Sequence, residues 1–242
     1  MATDTATNDG NESQISETPD SREFTEYLSE MKCRNHFSRN KEKTKASQHF
    51  TLASAPEISV YAIKVRGITH GLPHIELHLG QDLNSPIAAV GRMHLRNHGF
   101  GIPLLPDEQI NGTANVVTKD SINEELMTWE NLNRVTRWSE KVYGFEWGVG
   151  SERKTYTWIR TKPSGMRNGL DMKELELRVG GREEAEKGSE CVAKWIKGKG
   201  FKTLKKGSLF VKKGGKDQRW ESVVMITFLI ILEIFVRKGG GG

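Results

Sequence analysis

Three histidines recur at spacing four in HGLPHIELH: His70, His74 and His78. Pro73 argues against a helix there, and on a strand His74, Glu76 and His78 share one face. Two imidazoles and a carboxylate are zinc-ligand types. Same-face neighbours on a strand stand ~6.6 Å apart, however, so a metal would need a further ligand from an adjacent strand. Arg92, His94, Arg96 and His98 alternate in the same way in RMHLRNH. Paired as a hairpin, the two segments are expected to present an outward, solvated polar face. A metal site is the competing reading, and no metal is expected.

The other residues whose spacing invites chemistry are lysines. In KWIKGKGFKTLKKGSLFVKK two Lys-Gly turns are expected to place Lys197, Lys199, Lys205 and Lys206 at the tips of a hairpin. An anionic leaflet attracts each such lysine by ~1 kcal/mol, enough in sum for weak, salt-sensitive attachment. The competing reading is a charged edge that blocks strand-to-strand aggregation. Trp195 with Lys194, Lys197 and Lys199 comes nearest to a base-stacking platform. Packing is the ordinary reading for Trp138, Trp147, Trp158 and Trp195, and no nucleic-acid partner is expected.

Nothing else resembles a reaction centre. The chain has no G-x-S-x-G setting, no P-loop and no G-x-G-x-x-G after a strand, and Gly148 and Gly150 read as a hairpin turn. Neither enzymatic activity nor a cofactor is expected. Cys33 and Cys191 lie far apart without a C-x-x-C companion, which fits a reducing compartment. MATDTATNDGNESQ has neither a basic n-region nor an apolar h-region, so no secretory signal is expected. The sequons at Asn11 and Asn111 are then chance matches, and the expected location is cytoplasmic, with membrane association or a nuclear site as alternatives.

These residues need elements to position them. The 242 residues are 36% apolar and 28% charged, a balance that suits one core plus an unpacked arm. Residues 1–48 are expected to be that disordered arm, with one short amphipathic helix over Glu23–Lys32 from the spacing of Phe24, Tyr27, Leu28 and Met31. Charge is polarised along the chain. Eight acids oppose one base from Met1 to Glu30, and ten bases oppose Asp217 from Lys194 to Arg219.

Short alternating segments follow. EISVYAIKVRG, HIELHLG, PIAAVGRMHLRNHG, ANVVTK, WSEKVYGFEWG, SERKTYTWIRT, LDMKELELRV, SECVAKWIK, KGFKTLKK and GSLFVKK read as about ten antiparallel strands. INEELMTWENLN, residues 122–133, reads as a helix. Ten antiparallel strands must close or pack on something, because open edges invite pairing with other chains.

The filling is at the C-terminus. Twelve of the fourteen residues from Val223 to Val236 are apolar. A membrane-spanning helix needs ~20 apolar residues for a ~30 Å core, and fourteen reach only ~21 Å. Glu233 inside the run adds a cost. A helix apolar on all sides must be enclosed by protein. Asp217 is the expected N-cap and the glycines from Gly239 the expected stop. A short tail anchor over residues 222–238 is the second reading.

A barrel of about a dozen strands around a hydrophobic C-terminal helix resembles the tubby C-terminal-like fold of tubby proteins and phospholipid scramblases. The chain looks most like fungal members of that superfamily. VYGFEW (Val142–Trp147), YTWIRT (Tyr156–Thr161), ECVAKW (Glu190–Trp195) and RWESVVMITFLIILEIFVRK carry the resemblance, which covers about Phe50 to Lys238. It implies a mainly β protein: a closed antiparallel barrel of ten to twelve strands over residues 49–238, a central helix near 218–237, and a glycine tail at 239–242. It also implies a monomer that contacts anionic lipid, phosphoinositide among them, or a protein partner. Scramblase-like members carry an acidic, calcium-associated stretch before the final helix. Here KKGSLFVKKGGKDQRW is basic, and Asp217 alone cannot build a calcium site.

Overall fold

The computed structural model describes residues 23–30, 48–54, 60–66, 72–80, 83–94, 97–104, 123–135, 142–160, 174–197, 207–212 and 218–239. They form a mainly β protein with one long C-terminal helix. Two strands come first, β1 (Phe24–Glu30) and β2 (Gln48–Ser54). Ten more follow: β3 (Val60–Val65), β4 (Ile75–Leu79), β5 (Ile87–Met93), β6 (His98–Pro103), β7 (Met127–Arg134), β8 (Val142–Trp147), β9 (Lys154–Arg160), β10 (Glu174–Val179), β11 (Cys191–Lys197) and β12 (Gly207–Lys212). A short helix α1 (Arg182–Glu186) joins β10 to β11, and α2 (Gln218–Gly239) ends the chain.

β3 to β12 make one antiparallel sheet in chain order. That ten-strand sheet is not closed by its own strands, and β3 and β12 are its edges. The backbones of β1 and β2 run alongside those edges: β2 pairs with β3, and β1 pairs with both β2 and β12. Phe24–Glu30 is therefore strand, not the helix that its spacing predicts. Unpaired edge N–H and C=O groups recruit any segment that can lie beside them, whatever its side-chain period. The rest of the expected arm, apart from Glu23 and Gln48, lies outside the described residues.

A second expectation is corrected at residues 122–133. Asn123 does cap a turn, its Oδ1 accepting from Glu125 N at 3.3 Å, but the turn ends at Leu126. Met127–Arg134 then pairs with β6 on one side and β8 on the other. Two ladders outweigh a local helix signal, because helix propensity differs by only tenths of a kcal/mol per residue. PIAAVGRMHLRNHG also divides into β5 and the start of β6, and ANVVTK and KGFKTLKK lie outside the described residues.

Alternation puts Ile63, Val65, Ile75, Leu77, Phe100 and Trp158 on the face toward α2, where they are buried with it in one core. Val223, Val224, Met225 and Ile226 are four successive helix positions, and all are 0% exposed. Burial on every side follows, as the sequence predicts. Two polar contacts fix the helix in place. Trp158 Nε1 donates to Thr227 Oγ1 at 3.0 Å, and Tyr61 OH donates to Glu221 Oε2 at 3.2 Å. Burial, reinforced by Glu221, raises the Tyr61 hydroxyl well above its ordinary range, so it stays a donor. A Cβ at Gly91 would lie 3.0 Å from Ile230 Cγ1 and 3.3 Å from Ile75 Cβ. A glycine there lets β5 approach the helix closely.

No helix among the described residues is long and apolar enough to cross a membrane. The segment proposed as a tail anchor is packed against the sheet instead.

Candidate functional site

The histidine-bearing face is where structure and expectation part. On β4, Ile75 and Leu77 point to the core, so His74, Glu76 and His78 take the opposite face. They are nevertheless only 3%, 3% and 4% exposed. The expected solvated surface is a buried ionic cluster. Period-two alternation says which residues share a face, but not whether that face is covered.

Register brings cations to Glu76 from the neighbouring strand. Lys64 pairs directly opposite it on β3, with Nζ 3.5 Å from Oε2, and Arg66 Nη1 pairs with Oε1. His78 Nε2 lies 3.5 Å from Oε2, while His78 Nδ1 donates to the Ser85 carbonyl at 2.9 Å. Burial alone would raise the Glu76 carboxyl; His78, Arg66 and Lys64 outweigh it and hold the group below the usual range. Glu76 is an anion.

His74 is held differently. Its Nδ1 accepts from Met93 N at 2.8 Å, so in the neutral ring the proton sits on Nε2, which is buried and has no hydrogen-bond partner among the described residues. Burial, then the charge of Arg237 and of other nearby bases, lowers its pKa from 6.5 to about 4. His74 is neutral at pH 7. The zinc alternative does not fit this arrangement. Glu76 is engaged by cations, and one nitrogen of each histidine is engaged by the protein. No group of three His, Cys, Asp or Glu among the described residues is placed to hold a metal.

A second polar patch lies on β10 and β11. Arg178 Nη2 reaches Glu176 Oε2 at 2.6 Å, and Lys194 Nζ lies 3.5 Å from Glu174 and 3.7 Å from Glu176. Burial, then Glu176, pushes the nearby Cys191 thiol up to about 11, so it is protonated at neutral pH and a poor nucleophile. These side chains form a paired surface.

The lysine candidates are only partly in view. Lys197 is the last residue of β11 and pairs with Gly207, the first of β12. Lys199, Lys205 and Lys206 lie outside the described residues. The aromatic alternative beside them is corrected. Trp195 is 1% exposed and stands 5.7 Å from Phe228 of the helix, so it offers no stacking platform. Trp158 packs likewise, and Trp147 lies beneath Arg219 at 5.9 Å. Alternation with lysine was the signal for that inward face, because Lys194 and Ile196 flank a side chain of opposite orientation. No protein-family model, curated protein or solved structure matches the chain.

Proposed function

We propose that this chain is a non-enzymatic binding module of the tubby-like kind, attaching peripherally to anionic lipid through the β11–β12 hairpin. One observation carries the reading. Lys197 and Gly207 are paired neighbours, and the nine residues of sequence between them, GKGFKTLKK, hold four lysines and no acid. Five cationic side chains with Lys197 thus belong to one short link. Among the described residues the sheet face toward α2 is packed with apolar side chains. Binding is work for the outside of the sheet.

Liposome sedimentation tests this directly. The full chain should pellet with phosphatidylserine or phosphoinositide vesicles and be released as salt rises, because a ~8 Å Debye length near 0.15 M salt already shortens the attraction. Exchange of Lys197, Lys199, Lys205 and Lys206 for glutamine should remove most of the binding and leave thermal stability within ~0.5 kcal/mol. Wild-type protein that ignores anionic vesicles at low salt would reduce the lysines to edge protection.

Closure into a barrel belongs to the same proposal. Its support is the backbone pairing of β1 with both β2 and β12, which would leave no strand edge open. Removal of residues 1–22 should then leave the melting temperature unchanged. Removal of residues 1–31 should expose the β12 edge and give aggregates by size-exclusion chromatography. An unchanged, monomeric protein after the longer deletion would show that the sheet works open and that the arm extends past β1.

A further inference from the structure

His74 sits where the start of β4 meets the ends of β3, β5 and α2. Its backbone N–H donates to the Gly91 carbonyl of β5 at 2.9 Å, and its carbonyl accepts from Arg66 N, just past β3, at 2.7 Å. Arg66 in turn offers its own carbonyl to Arg237 Nη2 at 3.3 Å, so the last turn of α2 is tied to the same corner. A further bond crosses it, from Met93 N at the end of β5 to His74 Nδ1 at 2.8 Å. The imidazole at the centre is buried.

The charged and titratable groups around this ring come from every element of the corner. Lys64 and Arg66 of the β3 side are turned to Glu76. Glu76 and His78 stand on β4 itself, and His78 Nε2 lies 3.5 Å from Glu76. Past β5, the ring of His94 meets that of His74 edge-on at 6.4 Å, while Arg92 is paired with Glu124 at 2.6 Å. His98 opens β6, and Arg237 of α2 is paired with Glu233 at 2.8 Å. Burial, then Arg237, His94, His98 and Arg92 lower the His74 pKa to about 4, the two arginines doing so although each has an acid partner.

A proton added to His74 has two effects. The charged imidazole is a donor at both nitrogens, so Met93 N–H loses its acceptor. A cation also arises near Arg237 in a dry site. Both are relieved when the corner opens and the ring reaches water. Past the buried Ile234, α2 is tied down here by Arg237 and by Arg160, which lies over the Phe235 ring at 5.8 Å.

We propose that this corner is an acid-sensitive latch, in which protonation of His74 frees Met93 and the last turn of α2, residues 235–239, while the rest of the helix stays enclosed. The latch is independent of the lipid reading. In the open corner His74 regains its ordinary pKa of 6.5, so opening takes up a proton between that value and about 4. The open population therefore rises as pH falls through that window and is constant above and below it.

Native-state hydrogen exchange on the full chain, resolved by residue, tests the latch. After correction for the intrinsic effect of pH on exchange, the amides of Met93 and residues 235–239 should open about twentyfold more at pH 5 than at pH 7. Their exchange should be insensitive to low urea, because a local opening exposes little surface. Residues 223–230 should exchange only through urea-sensitive global unfolding. His74→Asn should keep Met93 and residues 235–239 protected at pH 5, and Arg237→Ala should strip residues 235–239 of protection at pH 7 with Met93 still protected. Exchange at Met93 and residues 235–239 that follows urea as steeply as at residues 223–230 overturns the latch and leaves only global acid unfolding. A pH response that persists in His74→Asn overturns it too, as does an Arg237→Ala helix end as protected as the wild type. Should His74→Asn fail to fold, the urea dependence of the wild type decides by itself.

Discussion

Ile230→Asp is expected to abolish soluble expression of this chain. Ile230 is 0% exposed, and its Cγ1 lies where a Cβ at Gly91 would come within 3.0 Å. The substitution removes a buried aliphatic side chain, at a cost of about 2–5 kcal/mol by analogy with truncations to alanine. It also puts a carboxylate into the apolar core, adding several kcal/mol more unless the group takes a proton. The sum approaches or exceeds the ~5–15 kcal/mol total stability of an ordinary domain. Val149→Asp, at the exposed β8–β9 turn, is the matched control and should express normally. A folded, soluble Ile230→Asp protein would contradict burial of α2 on every side. Deletion of residues 221–242 gives a second readout. It should leave an aggregating sheet with a bare apolar face, whereas a tail anchor would leave a stable soluble domain.

The second large effect is acid lability centred on β4. His74 is neutral in the folded protein, with its pKa lowered from 6.5 to about 4. Between those values the unfolded chain binds a proton that the folded chain refuses, so stability falls as pH drops through the window and levels off below it. The loss is roughly 3 kcal/mol, from ~1.4 kcal/mol per pH unit. Glu76 adds a later phase. Its carboxyl is depressed, so its contribution is complete above the unfolded carboxylate range and disappears as pH falls through the lower folded value.

His74→Asn separates the two phases. The amide oxygen can replace Nδ1 as acceptor for Met93 N–H, but it cannot titrate. Urea unfolding at pH 7 and at pH 4.5 should show a much smaller difference for His74→Asn than for the wild type. Equal losses in both proteins would mean that His74 is not the sensor. Glu76→Gln should cost about 3 kcal/mol at pH 7, because it leaves the Arg66 and Lys64 charges beside a neutral amide in a largely dry site.

Several features were legible without coordinates because they depend on pattern alone. A run such as Val223–Val236, apolar at nearly every position, has no face to give to water, so it specifies its own enclosure. Ile75 and Leu77 specify one inward face of β4 by period two, and Lys194, Trp195 and Ile196 specify another on β11.

Other features depend on what lies beside or above a strand, and a single segment does not encode its neighbours. Phe24–Glu30 reads locally as a helix and becomes a strand because a sheet edge offers it hydrogen bonds. Met127–Arg134 yields to two ladders. His74, Glu76 and His78 have the composition of a wet surface, and only their burial turns them into an ionic cluster with a pH response. The grouping of distant residues at one end of the sheet is likewise absent from the linear sequence. It arises when antiparallel order gathers alternate connections together, so residues as distant as Arg66 and Arg237 come to share one end. Side-chain pattern determined which faces must be buried, and strand order and coverage decided which charges meet.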